Sequence, residues 1–80
     1  MEDFTMDELL EVLKRAVPKG DWLAEGDLVD DGIIDSIDII SAIAEITDEF
    51  DIKIPSDEMK NENFNSVQAI YDLISRLLED

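Results

Sequence analysis

The chain has 80 residues, 45% of them hydrophobic, with 22 Asp and Glu against six Lys and Arg and a formal net charge of -16. A domain of this size buries only about 60% of its unfolded surface, which leaves no room for a deep catalytic cleft. The charge repels phosphate backbones and anionic membrane surfaces, so nucleic acid is excluded as a partner.

There is no His and no Cys, which removes disulfides, thiolate metal sites and the usual base of a nucleophilic serine. No apolar run approaches the roughly 18 residues that span a bilayer. The stretch Met1-Glu2-Asp3-Phe4 is acidic where a signal peptide is basic. These features predict a single domain over residues 1–80, a cytoplasmic monomer without membrane insertion. Its partners are proteins with basic patches, approached by electrostatic steering.

Thr5 and Glu8 fit a capping box, and Phe4 and Leu9 occupy the flanking positions of a hydrophobic staple. Met6, Leu9, Leu13 and Ala16 then recur at helical spacing with Leu10 and Val17 beside them, and Lys14 and Arg15 suit the negative end of the helix dipole. Pro18 and Gly20 end this first helix. Up to Ser36 the chain has no clear period, yet Trp22, Leu23, Leu28, Val29, Ile33 and Ile34 are too apolar for a free linker. The expectation is a long ordered loop packed on the core.

Asp35-Ser36-Ile37-Asp38 opens a second helix, predicted from Ser36 to Phe50. At about 100° per residue Ile39, Ala42, Ile43, Ile46 and Phe50 share the core face. Ile37, Ile40 and Ala44 form a second apolar stripe, and Asp38, Ser41, Glu45, Asp48 and Glu49 fill the third sector. Either the second stripe packs under the preceding loop, or it is a docking patch beside Ser36 ringed by carboxylates.

Ser36 is not placed as a nucleophile: Lys53, a conceivable base, lies seventeen positions away, and no strained glycine-rich elbow presents the hydroxyl. It reads as a hydroxyl that another enzyme modifies. A plain N-cap is the bland alternative, but Asp35 can take the cap with Asp38 reciprocating, which leaves the Ser36 hydroxyl outward. After Phe50, a connector through Ile52 and Ile54 ends at Pro55. Ser56 caps a short helix through Asp57, Glu58 and Met59. The last helix opens at Asn65, paired with Gln68 as a weaker capping box, and runs through Val67, Ile70, Ile74 and Leu77.

Helix, long loop, Asp-Ser-Ile at the start of helix two, Glu49-Phe50-Asp51-Ile52-Lys53-Ile54-Pro55 after it and Asn65-Ser66-Val67-Gln68-Ala69-Ile70 at the last helix together resemble the acyl carrier protein family along nearly the whole chain. The resemblance implies an all-α, four-helix acyl-carrier-like bundle, three main helices plus one short helix, with a long loop between the first two. It also implies that Ser36 accepts 4'-phosphopantetheine from coenzyme A, installed by a separate phosphopantetheinyl transferase, and that cargo is held as a thioester on the added thiol. Acyl-loading and acyl-transferring enzymes then dock on Asp35, Ile37, Asp38, Ile40, Ala44, Glu45 and Asp48. In family members that shelter long chains, the tail enters between helices two and four, and the positions expected to face that space here hold Ile43, Ile46 and Ile70.

Members serving fatty-acid synthesis carry Gly two residues before the motif's Asp and acids where this chain has Ser41 and Thr47. Here Gly32 stands three before Asp35, and the run Asp31-Gly32-Ile33-Ile34-Asp35-Ser36 is closer in look to free-standing bacterial carriers of specialised pathways, polyketide, aminoacyl or cell-wall, including D-alanyl carriers. The chain is thus expected to be a non-catalytic carrier with no resident metal, serving fatty-acid or specialised biosynthesis. Two rival readings are an unmodified acidic helical adaptor and a weak calcium-binding domain. For the latter, Gly32 at the sixth place of an EF-hand loop makes Asp27 the first ligand, but the third place is Val29 and the twelfth Asp38 rather than Glu.

So large a negative excess in so small a domain predicts that the melting temperature rises with salt, and rises further with millimolar divalent cations than ionic strength alone explains. A melting curve insensitive to both would show the charges to be paired or dispersed.

Overall fold

A computed structural model describes residues 4–79. Among them there is no strand. The long helices are α1 (Met6–Ala16), α2 (Ser36–Phe50) and α4 (Val67–Glu79), and the one-turn α3 (Asn61–Phe64) follows a 3-10 turn at Ser56–Glu58. α1 packs on α2 and α4, and α3 packs on α4. The all-α, four-helix expectation holds.

α1 begins where its chemistry places it. The Thr5 hydroxyl accepts from the Glu8 amide at 3.2 Å, and Glu8 Oε1 accepts from the Thr5 amide at 3.1 Å. This reciprocal box satisfies two amides that a helix start leaves without partners. Phe4, ahead of the cap, packs edge-on against Phe50 and stacks on Tyr71, so the entry to α1 also joins the end of α2 to the second turn of α4. α1 buries Leu9, Val12 and Leu13; Val12, three residues after Leu9, joins the core face at the same helical spacing.

α2 matches the predicted span, and it buries Ile39, Ala42 and Ile46, with Ile43 and Phe50 partly covered. It stops at Asp51, whose φ of 54° is left-handed, a conformation that short polar side chains tolerate at helix ends.

Two expectations change beyond Pro55. Ser56 lies inside the 3-10 turn rather than capping it, and Pro55, with its φ fixed near -63°, sets the entry. A separate helical turn follows at Asn61–Phe64, because Lys60 is extended and interrupts the spiral. Asn63 Nδ2 donates to the Glu58 carbonyl at 2.7 Å and to Glu58 Oε1 at 3.1 Å, fastening the two pieces together.

The second change concerns Asn65. The cap of α4 is made by Ser66, whose Oγ accepts from the Ala69 amide at 3.0 Å, while Gln68 donates to Asp72. Asn65 reaches instead across the molecule to the long loop. Its Oδ1 accepts from the Val29 and Asp30 amides, each at 3.0 Å, its Nδ2 donates to Asp30 Oδ2 at 3.0 Å, and its carbonyl accepts from the Leu28 amide at 2.8 Å.

The loop is ordered and packed, as its apolar content implies. Leu28 and Ile34 are fully buried, the Ile34 amide donates to the Leu28 carbonyl at 2.8 Å, and buried Trp22 donates from Nε1 to the Val17 carbonyl. Gly20 permits this, since a Cβ there would stand 3.0 Å from both Ile34 Cδ1 and Trp22 Nε1.

Asn65→Ala removes the loop's side-chain partner and leaves two amides to water, so it is expected to cost about 2 kcal/mol, a melting decrease of roughly 8–16 °C for a domain of this size. Hydrogen exchange at Val29 and Asp30 should accelerate before that of α1. A variant melting with the wild type would show that apolar contacts alone hold the loop.

Candidate functional site

The loop delivers the Asp35–Ser36 junction to the start of α2. Gly32 takes a φ of 74° with open space at its Cβ position, turning the chain so that Ile34 enters the core and Asp35 emerges. Asp35 is the N-cap in an extended conformation, and its Oδ1 accepts from the Ser36 amide at 2.7 Å. The expected reciprocal bond with Asp38 is not the one formed. Asp35 still takes the cap, as required, and the Ser36 hydroxyl is exposed on the first turn, outside the capping bond.

Ser36 stands on the rim between two depressions. The first is an apolar groove of about 180 Å3 between α2 and the segment before and within α3, lined by Ile39, Ile40, Ile43, Met59 and Phe64, with Lys60 beside them. The second is wider, about 400 Å3, and runs over Gly32, Ile33 and Ile34 with the carboxylates of Asp35 and Asp38 at its edge. The pattern of the sequence does not mark Met59, Lys60 or Phe64 as groove residues, because the turn and α3 that present them lie in a polar run without a helical period; the one hint is that Met59 and Phe64 are apolar within it.

The second stripe of α2 is open to solvent. Ile37 is 69% exposed and Ile40 66%, and Ala44 is also exposed, so the loop does not cover them. Asp35 and Asp48 are exposed around this stripe, and Asp38 is half-buried. Glu45 lies apart, half-buried, with its Oε1 3.7 Å from Arg15 Nε, while Glu49 Oε1 accepts from Arg15 Nη2 at 2.9 Å. The structure thus gathers Asp35, Ile37, Asp38, Ile40, Ala44 and Asp48 on one open surface and turns Glu45 toward α1.

Of the three isoleucines expected to face an acyl chain, only Ile43 lines the groove. Ile46 and Ile70 are fully buried.

The acidic run does not form a calcium loop. Asp31 Oδ2 accepts from the Asp27 amide at 2.9 Å, and Asp30 is held by Asn61 and Asn65. Among the described residues no three carboxylates converge to hold a metal ion.

An exposed serine at the first position of a helix, with its cap supplied by a neighbour and an apolar groove alongside, suits a site that bears a flexible group. Residues 5–74 match the family described as phosphopantetheine attachment site, and the chain belongs to that family of carrier proteins. A D-alanyl carrier protein of Streptococcus uberis is 33% identical over 55 residues, 69% of this chain and 70% of the relative. A D-alanyl carrier protein of Streptococcus sanguinis is 28% identical over 72 residues, 88% of this chain and 90% of the relative. An acyl carrier protein of Buchnera aphidicola is 43% identical over 49 residues, 61% of this chain and 60% of the relative. Membership of the family implies a covalently attached 4'-phosphopantetheine. The open Ser36 hydroxyl and the adjoining groove fit such a group.

Proposed function

We propose that Ser36 bears the 4'-phosphopantetheine and that the chain is a non-catalytic carrier of acyl or aminoacyl groups. The observation that carries this reading is the exposed Ser36 hydroxyl, off the cap and beside a groove, in a chain that matches the attachment-site family. When attached, the group supplies the terminal thiol, which a chain without Cys otherwise lacks, for holding cargo as a thioester.

The residues of the chain do the rest by presentation. Ser36 Oγ forms the bond to the pantetheine-side phosphorus as the pyrophosphate linkage of coenzyme A breaks and adenosine 3',5'-bisphosphate leaves, and the hydroxyl proton passes to a base on the phosphopantetheinyl transferase, since the chain has no His. Asp35 fixes the turn so that Oγ points away from the domain. Asp35, Asp38 and Asp48 steer basic partners, and Ile37, Ile40 and Ala44 give them a small apolar contact. Such an interface belongs at the transient end, below about 1,200 Å2, so that each enzyme releases the carrier in turn. Residues 1–80 act as a single cytoplasmic monomeric domain.

The cargo is short or polar and rides exposed on the arm. A tail passing from Ser36 between α2 and α4 has to displace Ile46 and Ile70, which are fully buried, stiff at χ1, and cost packing at roughly 0.8 kcal/mol per methylene displaced. The Asp31-Gly32-Ile33-Ile34-Asp35-Ser36 run and the similarity to D-alanyl carrier proteins support a specialised pathway over fatty-acid synthesis.

Intact mass after incubation with coenzyme A and a transferase should rise by one phosphopantetheine, and Ser36→Ala should abolish the gain while melting within about 0.5 kcal/mol of wild type, since Ala is at least as good a helix former. Mass gain on the alanine variant would refute the assignment.

Acyl forms of increasing chain length should melt at nearly the same temperature. Stability that climbs steadily with length, with contacts from the chain to Ile46 and Ile70, would mean that the core opens.

A further inference from the structure

Ser36 faces two depressions of opposite electrostatic character. The wider one is edged by Asp35 and Asp38, whereas the apolar groove has Lys60 on its wall. Any group joined to Ser36 through a phosphodiester carries a fixed negative charge next to Oγ. On the wide side that charge meets two carboxylates; on the groove side it meets a mostly apolar lining with Lys60 among its residues. The chain has only six cationic side chains, and Lys60 is the one that shares a groove lining with Ser36 among the described residues.

Lys60 is also available. Its nearest acid, Glu62 Oε2, is 3.7 Å away, and both side chains are more than half exposed, so the pair is weak and easily exchanged. Of the carboxylates near this wall, Asp30 is engaged by the side-chain amides of Asn61 and Asn65, and Glu58 by Asn63 and Arg76. Because the phosphodiester is tethered at the groove's rim, its effective concentration at Lys60 is that of an intramolecular partner, far above that of any free anion.

We infer that Lys60 is a positioning residue for the phosphopantetheine arm: its ammonium pairs with the Ser36-linked phosphodiester and lays the first part of the arm over Ile40, Ile43 and Phe64, away from Asp35 and Asp38. The groove is shallow and open, about 180 Å3, so it shelters the segment next to the phosphate rather than the whole arm. The thiol end stays outside. The inference rests on the assignment of Ser36 as attachment site.

Wild type, Lys60→Arg, Lys60→Ala and Lys60→Glu are each loaded with coenzyme A and a transferase, and intact mass confirms complete loading. The phosphorus NMR resonance and the proton contacts of the arm's geminal methyls are then recorded at low and high salt. Wild type and Lys60→Arg should share a phosphorus shift that moves as salt is raised. Lys60→Ala and Lys60→Glu should begin at the high-salt position, and methyl contacts to Ile43 and Phe64 should weaken by about two- to fivefold, the range for one exposed ion pair. A phosphorus shift common to all four proteins, or methyl contacts to Gly32 and Ile33 instead, would overturn the role of Lys60 while leaving Ser36 in place. Failure of the wild type to gain mass would overturn both.

Discussion

The bridge from Asn65 to the long loop is the contact on which the geometry of Ser36 depends. Between α1 and α2 the backbone forms no helix or strand, so its polar groups need partners from elsewhere. Asn65 supplies three of them at one place, accepting from Leu28, Val29 and Asp30 through its carbonyl and its side chain. With that stretch fixed, Leu28 and Ile34 enter the core, and the Ile34 amide closes back on the Leu28 carbonyl. The chain then reaches Asp35 and Ser36 from a fixed direction. Asn65, two residues before α4, therefore governs how the first residue of α2 is shown to solvent.

The surface around Ser36 follows from how few faces of α2 the fold can cover. α1 covers one side, where Arg15 draws Glu45 and Glu49 toward it. The turn and α3 approach another, close enough to leave only a shallow groove. Among the described residues none covers the sector of Ile37 and Ala44, and Ile40 stands exposed where that sector borders the groove. Two isoleucines about two-thirds exposed lose burial that each could have contributed to stability, and carboxylates beside them discourage self-association. Apolar contact framed by like charge suits brief encounters with basic surfaces.

The parts of this arrangement that rest on neighbours in the chain were legible in the sequence. Thr5 and Glu8 form the capping box their spacing implies, α2 begins and ends where its apolar period does, and Asp35 rather than Ser36 takes the cap. Periodicity identifies the face that Ile37 and Ile40 share but not what covers it. Asn65 before a helix with Gln three residues on has the pattern of a cap, yet Ser66 is one residue better placed and makes it. The bonds that claim Asn65 cross from residues 28–30, a separation no local pattern encodes. Lys60 and Phe64 escaped for the same cause, since a 3-10 turn and a single helical turn are too short to impose a period, and the groove exists only once they fold beside α2.

The division of labour between Asp35 and Ser36 has a thermodynamic consequence. The capping bond belongs to Asp35, and the hydroxyl beside it contributes no bond to the start of the helix. A group added at Ser36 Oγ, loaded, unloaded or removed, therefore leaves the interactions that hold α2 intact. Folding and each covalent step are linked only through what the added group itself touches on the folded domain, the groove and Lys60, and not through the cap. The domain consequently does not resist modification. Its occupancy is set by the enzymes that act on it and by the supply of their substrates.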